Sequence, residues 1–212
     1  LVGAWRADRR VGWIGLRGEG GGTVVVAVTL DAAAPNSGEG GRIESSGARV
    51  AVARSVEITT KAAQGKDGSW LIDPTDFTFA PSGGDISGAA LSAALAHGDV
   101  TIQTVAAGTT CAGASCGAGK SGSGDVSVDD TVSWDKNTLT LSAYRDITIN
   151  SEMKGSGTAG LALDYGQGTP DGTIGGVAAD YTVNAPVDLA ATGSFTTKLG
   201  SGGAPVRYTI ID

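Results

Sequence analysis

Most of the chain alternates between apolar and polar residues with a period of two. The recurring unit is four residues long, with apolar side chains in second and fourth place. It reads Asp99-Val100-Thr101-Ile102, Asp125-Val126-Ser127-Val128, Thr138-Leu139-Thr140-Leu141, Asp146-Ile147-Thr148-Ile149 and Gly160-Leu161-Ala162-Leu163. An earlier pair is Arg49-Val50-Ala51-Val52 and Ser55-Val56-Glu57-Ile58. Such alternation sends one set of side chains inward and the Thr, Ser or Asp set outward, so each unit predicts a strand. Gly, Asn and Asp punctuate the gaps. One stretch departs from the pattern. Ile86 to Ala96, with Leu91 and Leu95 at i, i+4 spacing, reads either as a short helix or as a strand pair with a tight corner.

The spacing between units carries more than the units themselves. Val126 to Ile147 is 21 residues, Leu139 to Leu161 is 22, and Val100 to Val126 is 26, with the Gly-rich stretch 108–124 as an insertion. Two interleaved strand series repeating every ~20–25 residues predict an all-β solenoid of stacked coils with Gly-rich turns. Each coil buries its inward face only against its neighbours. A β-sandwich would make the constant offset a coincidence. A membrane barrel wants aromatic girdles, and the chain has only four Trp, four Tyr and three Phe. The expected organisation is one unit over 1–212. Core coils fill 41–179, a weaker pattern covers 1–40, and 180–212 is looser, with Pro186 and Pro205, as last coils or a linker to a following module.

Composition narrows the function classes. Gly supplies 35 of 212 residues, and charged residues only 17%. Disorder needs low hydrophobicity and high charge, and collagen needs Gly at every third position; neither holds. The net charge of −7 would repel a phosphate backbone, which argues against nucleic acid, and no basic cluster is present to hold an anionic membrane. The longest apolar run, Val24 to Val28, suits a strand and falls far short of a membrane span. Arg6, Arg9 and Arg10 near the start are not followed by the apolar block of a signal peptide. The chain opens in a strand-like pattern, as a piece of a longer protein would.

Three stretches carry a resemblance. They are Gly68-Ser69-Trp70-Leu71-Ile72-Asp73-Pro74-Thr75-Asp76-Phe77-Thr78-Phe79, then Gly98-Asp99-Val100-Thr101-Ile102, then Asp130-Thr131-Val132-Ser133-Trp134 running on to Thr138-Leu139-Thr140-Leu141-Ser142-Ala143-Tyr144-Arg145-Asp146-Ile147. The W-L-I-D-P segment followed by a G-D-V-T-I strand resembles the filamentous-haemagglutinin-like exoproteins of Gram-negative bacteria, large secreted adhesins of the two-partner-secretion type. The resemblance covers about residues 41–212. It implies a right-handed parallel β-helix, export with an outer-membrane secretion partner, and a non-enzymatic place at the cell surface, as shaft. It also implies a glycan or protein receptor on a host or cell surface. The residues agree at one point. Pro74 cannot donate a ladder hydrogen bond, so the strand Trp70-Leu71-Ile72 ends or turns at Asp73-Pro74, with Asp73 or Asp76 capping the turn and Trp70 packed beneath it.

Residues able to carry chemistry are few. Cys111 and Cys116 have four residues between them in a Gly-rich loop, a spacing that permits a disulfide pinning a protruding loop. Two Cys and the single His97 fall short of a zinc ligand set. Gly117-Ala118-Gly119-Lys120-Ser121 lacks the earlier Gly and the following helix of a phosphate loop. One imperfect copy around Gly122 to Val128 cannot build the stacked Ca²⁺-binding nonapeptide site, so no cofactor or metal is expected. His97 with Ser92 and Asp99 has no oxyanion hole in sight, so a loop histidine is the expectation. Asp73, Asp76, Asp129, Asp130 and Asp164 are carboxylates that stacked coils can bring together, as glycoside hydrolysis requires. Trp134, Tyr144 and Tyr165 are the candidate glycan-contacting aromatics, although coil aromatics more often pack inward. Besides the adhesin, a self-assembling extracellular filament and a polysaccharide-active enzyme stay open.

Overall fold

The computed structural model describes residues 5–10, 12–18, 22–109 and 121–211, with the backbone alone for 5–10. Among them the chain is mostly β, with one α-helix. The largest sheet has nine strands, in the spatial order β1 (Trp5–Arg10), β2 (Trp13–Gly18), β5 (Arg42–Ser46), β8 (Ser69–Asp73), β10 (Asp99–Gln103), β13 (Thr138–Ser142), β16 (Gly160–Tyr165), β21 (Ser194–Leu199) and β22 (Val206–Tyr208). Every neighbouring pair from β2 to β21 is parallel. The outermost pairs, β1 with β2 and β21 with β22, are antiparallel, so the sheet is mixed. A second, four-stranded parallel sheet holds β9 (Phe77–Phe79), β11 (Val126–Val128), β14 (Ile147–Ile149) and β19 (Tyr181–Val183). A third, also parallel, holds β12 (Val132–Trp134), β15 (Met153–Gly155) and β20 (Val187–Leu189). Three smaller pairs complete the set: β3 (Thr23–Val26) with β6 (Arg49–Val52), β4 (Leu30–Asp31) with β7 (Ile58–Thr59), and the hairpin β17 (Thr173–Ile174) with β18 (Val177–Ala178).

From residue 138 the chain visits the three large sheets in a fixed order: nine-stranded, four-stranded, three-stranded, and back. The links from the second sheet to the third are 129–131, 150–152 and 184–186, three residues each time. The links from the first sheet to the second vary widely: 74–76, 104–125, 143–146 and 166–180. Length is therefore free at one corner and fixed at the next.

The register explains the core. Across the main sheet Ile14, Ile43, Trp70, Val100, Leu139, Leu161 and Phe195 align, as do Leu16, Ser45, Ile72, Ile102, Leu141, Leu163 and Thr197. These are the inward positions of the alternation, and all are buried except the half-buried Phe195. In the second sheet Phe77, Val126, Ile147 and Tyr181 form one row and Phe79, Val128, Ile149 and Val183 the other. At roughly 25 cal/mol per Å² removed from water, these rows dominate the stability of a chain with so few large side chains.

Glycine sets one corner. Gly12, Gly41, Gly68 and Gly98 each stand immediately before a strand of the main sheet, and the carbonyls of the first three accept the N–H of Arg42, Ser69 and Asp99 in the next strand. A Cβ on Gly68 would lie 1.9 Å from the Gly41 carbonyl oxygen, and one on Gly98 2.0 Å from Thr60 Oγ1. Only glycine fits that spacing. At the same place in the later strands stand Asn137, with φ of 63°, Ala159 and Gly193.

One open alternative is resolved and two expectations change. Ile86 to Ala96 contains the helix α1 (Gly88–Leu95), capped by Ser87, whose Oγ accepts the Ala90 N–H. The helix buries Leu91 and Leu95 and shields the edge of the third sheet, where Ser92 Oγ accepts the otherwise unpaired N–H of Ser133. Ser55 to Ile58 is not a strand: Val56 N–H bonds back to Ala53 O in a turn, and only Ile58–Thr59 pairs. Val100 and Val126 belong to different sheets, Val100 pairing with Trp70 and Leu139, and Val126 with Phe77 and Ile147. Residues 104–125 thus form a link between two sheets, not an insertion within one series. The 21- and 22-residue offsets do join true neighbours. Three of the other offsets along the main sheet, Trp70 to Val100, Val100 to Leu139 and Leu161 to Phe195, are longer because α1, the 104–125 link and the β17–β18 hairpin respectively lie between.

Candidate functional site

The W-L-I-D-P segment ends β8 at a corner. Beyond Pro74 the backbone no longer follows the main sheet, and the Pro74 carbonyl accepts the Val105 N–H of a neighbouring strand's exit. The Asp73 carbonyl accepts the Gly47 N–H, and Thr75 N–H reaches the Ala48 carbonyl. Trp70 and Ile72 point into the core, 1% and 0% exposed, Leu71 faces outward and is half-buried, and Asp73 is 9% exposed. Trp70 Nε1 donates to Ser45 Oγ at 3.1 Å.

Beside this corner lies a polar cleft of about 480 Å³, lined among others by Arg49, Thr75, Asp76, Thr78, Asp85 and Ser121. It exists because the second face of the molecule is interrupted here. β6 pairs only with β3, and β9 pairs with β11. Residues 80–86 fold between β6 and β9, with Val52 N–H bonded to Asp85 O and Asp85 N–H to Thr78 O. Arg49 Nε donates to Asp85 Oδ1 at 2.8 Å, and the Thr78 N–H donates to Asp85 Oδ2 at 3.0 Å. Asp76 Oδ1 accepts three backbone N–H groups, from Ser123, Gly124 and Asp125, at 3.0, 2.7 and 3.0 Å. Asp85 thus accepts donors on both oxygens, while Asp76 gathers three backbone donors on Oδ1 alone, an arrangement that holds loops and presents polar groups.

The remaining carboxylates are dispersed. Asp129 accepts from Ser127 Oγ and Asn150 Nδ2 on the rim of the second sheet. Asp130 accepts the N–H of Gly88, at the start of α1, and of Thr131. Asp164 stands outward on β16 between Ser142 and Lys198. Burial raises its carboxyl above the ordinary range, and the Lys198 charge opposes this. Asp67, which the sequence did not single out, shows the reverse. Burial acts to raise it, but the Lys136 ammonium at 2.8 Å and the Ala62 N–H hold it below the usual value of 3.8.

Ser92, His97 and Asp99 do not act together. Ser92 Oγ serves Ser133, Asp99 Oδ1 accepts the Thr138 N–H at 2.8 Å, and the His97 carbonyl accepts both Thr60 N–H and Thr60 Oγ1. Trp134 is 5% exposed on β12. Tyr144 and Tyr165 are half-buried beyond the main sheet's strands β13 and at the end of β16. The Tyr165 ring meets that of Tyr181 edge-on at 5.1 Å, and burial raises both phenols. The three aromatics are thus divided between two sheets and a link. Cys111, Cys116 and residues 117–120 lie outside the described residues. Among the described residues no group of three His, Cys, Asp or Glu side chains converges as a metal site.

Sequence reasoning missed the cleft, because Arg49–Asp85 and Asp76–Asp125 are contacts of 36 and 49 residues in separation. It also missed the polar row Asp129, Asn150, Asn184, in which each amide donates to the preceding side chain. That row was findable, since the 21-residue offset pairing Val126 with Ile147 also pairs Asp129 with Asn150.

No family model matches the chain, and searches of curated proteins and of solved structures return no match.

Proposed function

We propose that the chain is a right-handed parallel β-helix serving as a non-enzymatic shaft segment of a secreted, cell-surface bacterial adhesin. The carrying observation is the register: six consecutive parallel pairings in the main sheet, with parallel second and third sheets whose strands follow in fixed order. Stacked passes of this kind make a long surface from little sequence. The outward rows of Thr, Ser, Asp and Asn offer polar contacts to a glycan or protein receptor. The resemblance of the W-L-I-D-P and G-D-V-T-I segments to filamentous-haemagglutinin-like exoproteins adds export through an outer-membrane partner. The backbone N–H groups that hold Asp76 Oδ1 and Asp85 Oδ2 give both carboxylates of the cleft a loop-fixing role, which favours a binding surface over an acid–base pair.

Electron microscopy of the purified chain, followed by a glycan array and an assay for reducing sugar, tests the reading. Discrete short rods that bind cell-surface glycans or proteins and release no sugar are expected. Compact globules would overturn the β-helix, and sugar release abolished by Asp76→Asn or Asp85→Asn would replace the adhesin by an enzyme.

A further inference from the structure

The single helix leaves a trough beside the third sheet. α1 packs against β12 at the edge opposite β15, and Ser92 Oγ accepts the Ser133 N–H across the contact. A helix with its side chains is about 10–12 Å across, whereas strands stand roughly 4.8 Å apart. The helix therefore rises above the outward face of the sheet, and a groove of about 330 Å³ lies in the angle between them. It is lined among others by Ser92 and Ala96 of the helix and its cap, Ser133 of β12, Lys154 of β15, and Asp135 and Ser156 just beyond those strands. Three separate stretches of chain thus meet in it.

The polar groups of this groove are unspent. Elsewhere on the surface Arg17 meets Glu44, Arg49 meets Asp85, Lys136 meets Asp67 and Arg145 meets Asp125. The Lys154 ammonium, the Asp135 carboxylate and the Ser133 hydroxyl pair with nothing among the described residues. Ser92 Oγ accepts one N–H and keeps its own proton to donate. The Asp76–Asp85 cleft differs, because its carboxylates already hold backbone N–H groups.

The geometry points to this groove as the site where the shaft binds a glycan, through one neutral sugar unit; taking a glycan as receptor rests on the adhesin reading. The ligand class follows from the donor set. Lys154 and the serines donate, Asp135 accepts, and the Ala96 methyl group offers contact to a C–H face. The hydroxyl and C–H groups of a sugar ring answer all three. Asp135 balances Lys154 within the groove, and the chain carries −7 overall, so an acidic sugar gains no attraction here. The volume stands at the lower end of ligand clefts, about 300–1,000 Å³, which suits one unit of a longer glycan. Trp134 is 5% exposed and keeps its ring in the core, so hydrogen bonds hold the sugar in place of ring stacking.

The test applies the 212-residue chain to an array of neutral and acidic oligosaccharides and titrates the hits by calorimetry. Neutral oligosaccharides are expected to bind. Asp135→Ala and Lys154→Ala, both at exposed positions, each raise the dissociation constant at least tenfold. Ala96→Trp, which fills the groove from an exposed position, abolishes binding. Arg54→Ala, exposed in the turn after β6, leaves it unchanged. Absence of glycan binding, neutral binding that survives all three groove substitutions, or a preference for acidic glycans would overturn the proposal. None of these touches the shaft reading, which particle shape decides.

Discussion

The indole N–H of Trp70 donates to the hydroxyl of Ser45, 3.1 Å away, diagonally across two paired strands and inside the core. It accounts for the one serine in a row otherwise built of Leu, Ile and a terminal Thr. A Trp on an inward position brings a donor that must be satisfied, and Ser45 supplies the acceptor. Replacing Ser45 by Ala strands a buried donor, so chemical denaturation should show a loss of about 1–3 kcal/mol. Trp70→Phe should cost less in the Ser45→Ala background than in the native one, and a double-mutant cycle in urea measures the difference.

The glycine corner predicts a sharp contrast between substitutions that look alike. Gly68→Ala drives a methyl group into the Gly41 carbonyl and should cost about 3 kcal/mol or more, the upper range of overpacking. Gly83 has a φ of 76° but open space around its Cβ position. Gly83→Ala should therefore cost only the backbone strain, roughly 1–2 kcal/mol. Thermal melts of the two variants separate steric contact from conformational strain.

Asp67 and Asp164 should respond to acid with opposite signs. The Asp67 carboxyl is depressed on folding, so its contribution is present above its unfolded value near 3.8 and is lost as pH falls through the lower folded value. Asp67→Asn should be less stable than the native chain at pH 7, with the gap closing in strong acid.

Asp164 is raised by burial, so the folded state holds its proton more tightly than the unfolded one. Its charge is a penalty, fully present above the folded value and relieved as pH falls towards 3.8. Asp164→Asn should raise the Tm at pH 7 and leave it unchanged once the native carboxyl is protonated. Melting curves from pH 2 to 7 for both variants check the two signs together.

The row Asp129, Asn150, Asn184 depends on alternating acceptor and donor groups. Asn150→Asp places like charges side by side just beyond the neighbouring strands β11 and β14 and should cost about 0.5 kcal/mol at low salt. The loss should shrink as salt screens the pair, which a guanidine-free urea titration at two ionic strengths would show.

Strand identity was legible where alternation was unbroken, as in Thr138 to Leu141, because the period of two is imposed by the pleat itself. Partnership was legible only where the connecting chain was short. Leu139 and Leu161 pair as their spacing suggests, whereas Val100 pairs with Leu139 across 39 residues that include the 104–125 link. Link length leaves no periodic trace in the sequence. The cleft was illegible for the same reason: Arg49 finds Asp85 only after 80–86 has folded between two strands. Ser55 to Ile58 misled because alternation without a partner strand is no stronger than the local turn at Ala53.

The unequal corners give the molecule a usable asymmetry. Links at one corner range from three residues to more than twenty, while those at the next hold at three. Sequence grafted between Gly175 and Gly176, in the turn of the hairpin within the 166–180 link, would leave the registers of the three large sheets untouched, and the same graft into 150–152 would shear two sheets apart. The chain is thus a display scaffold with one writable edge, along which foreign peptides could be presented at positions fixed by the strand spacing of roughly 4.8 Å per pass.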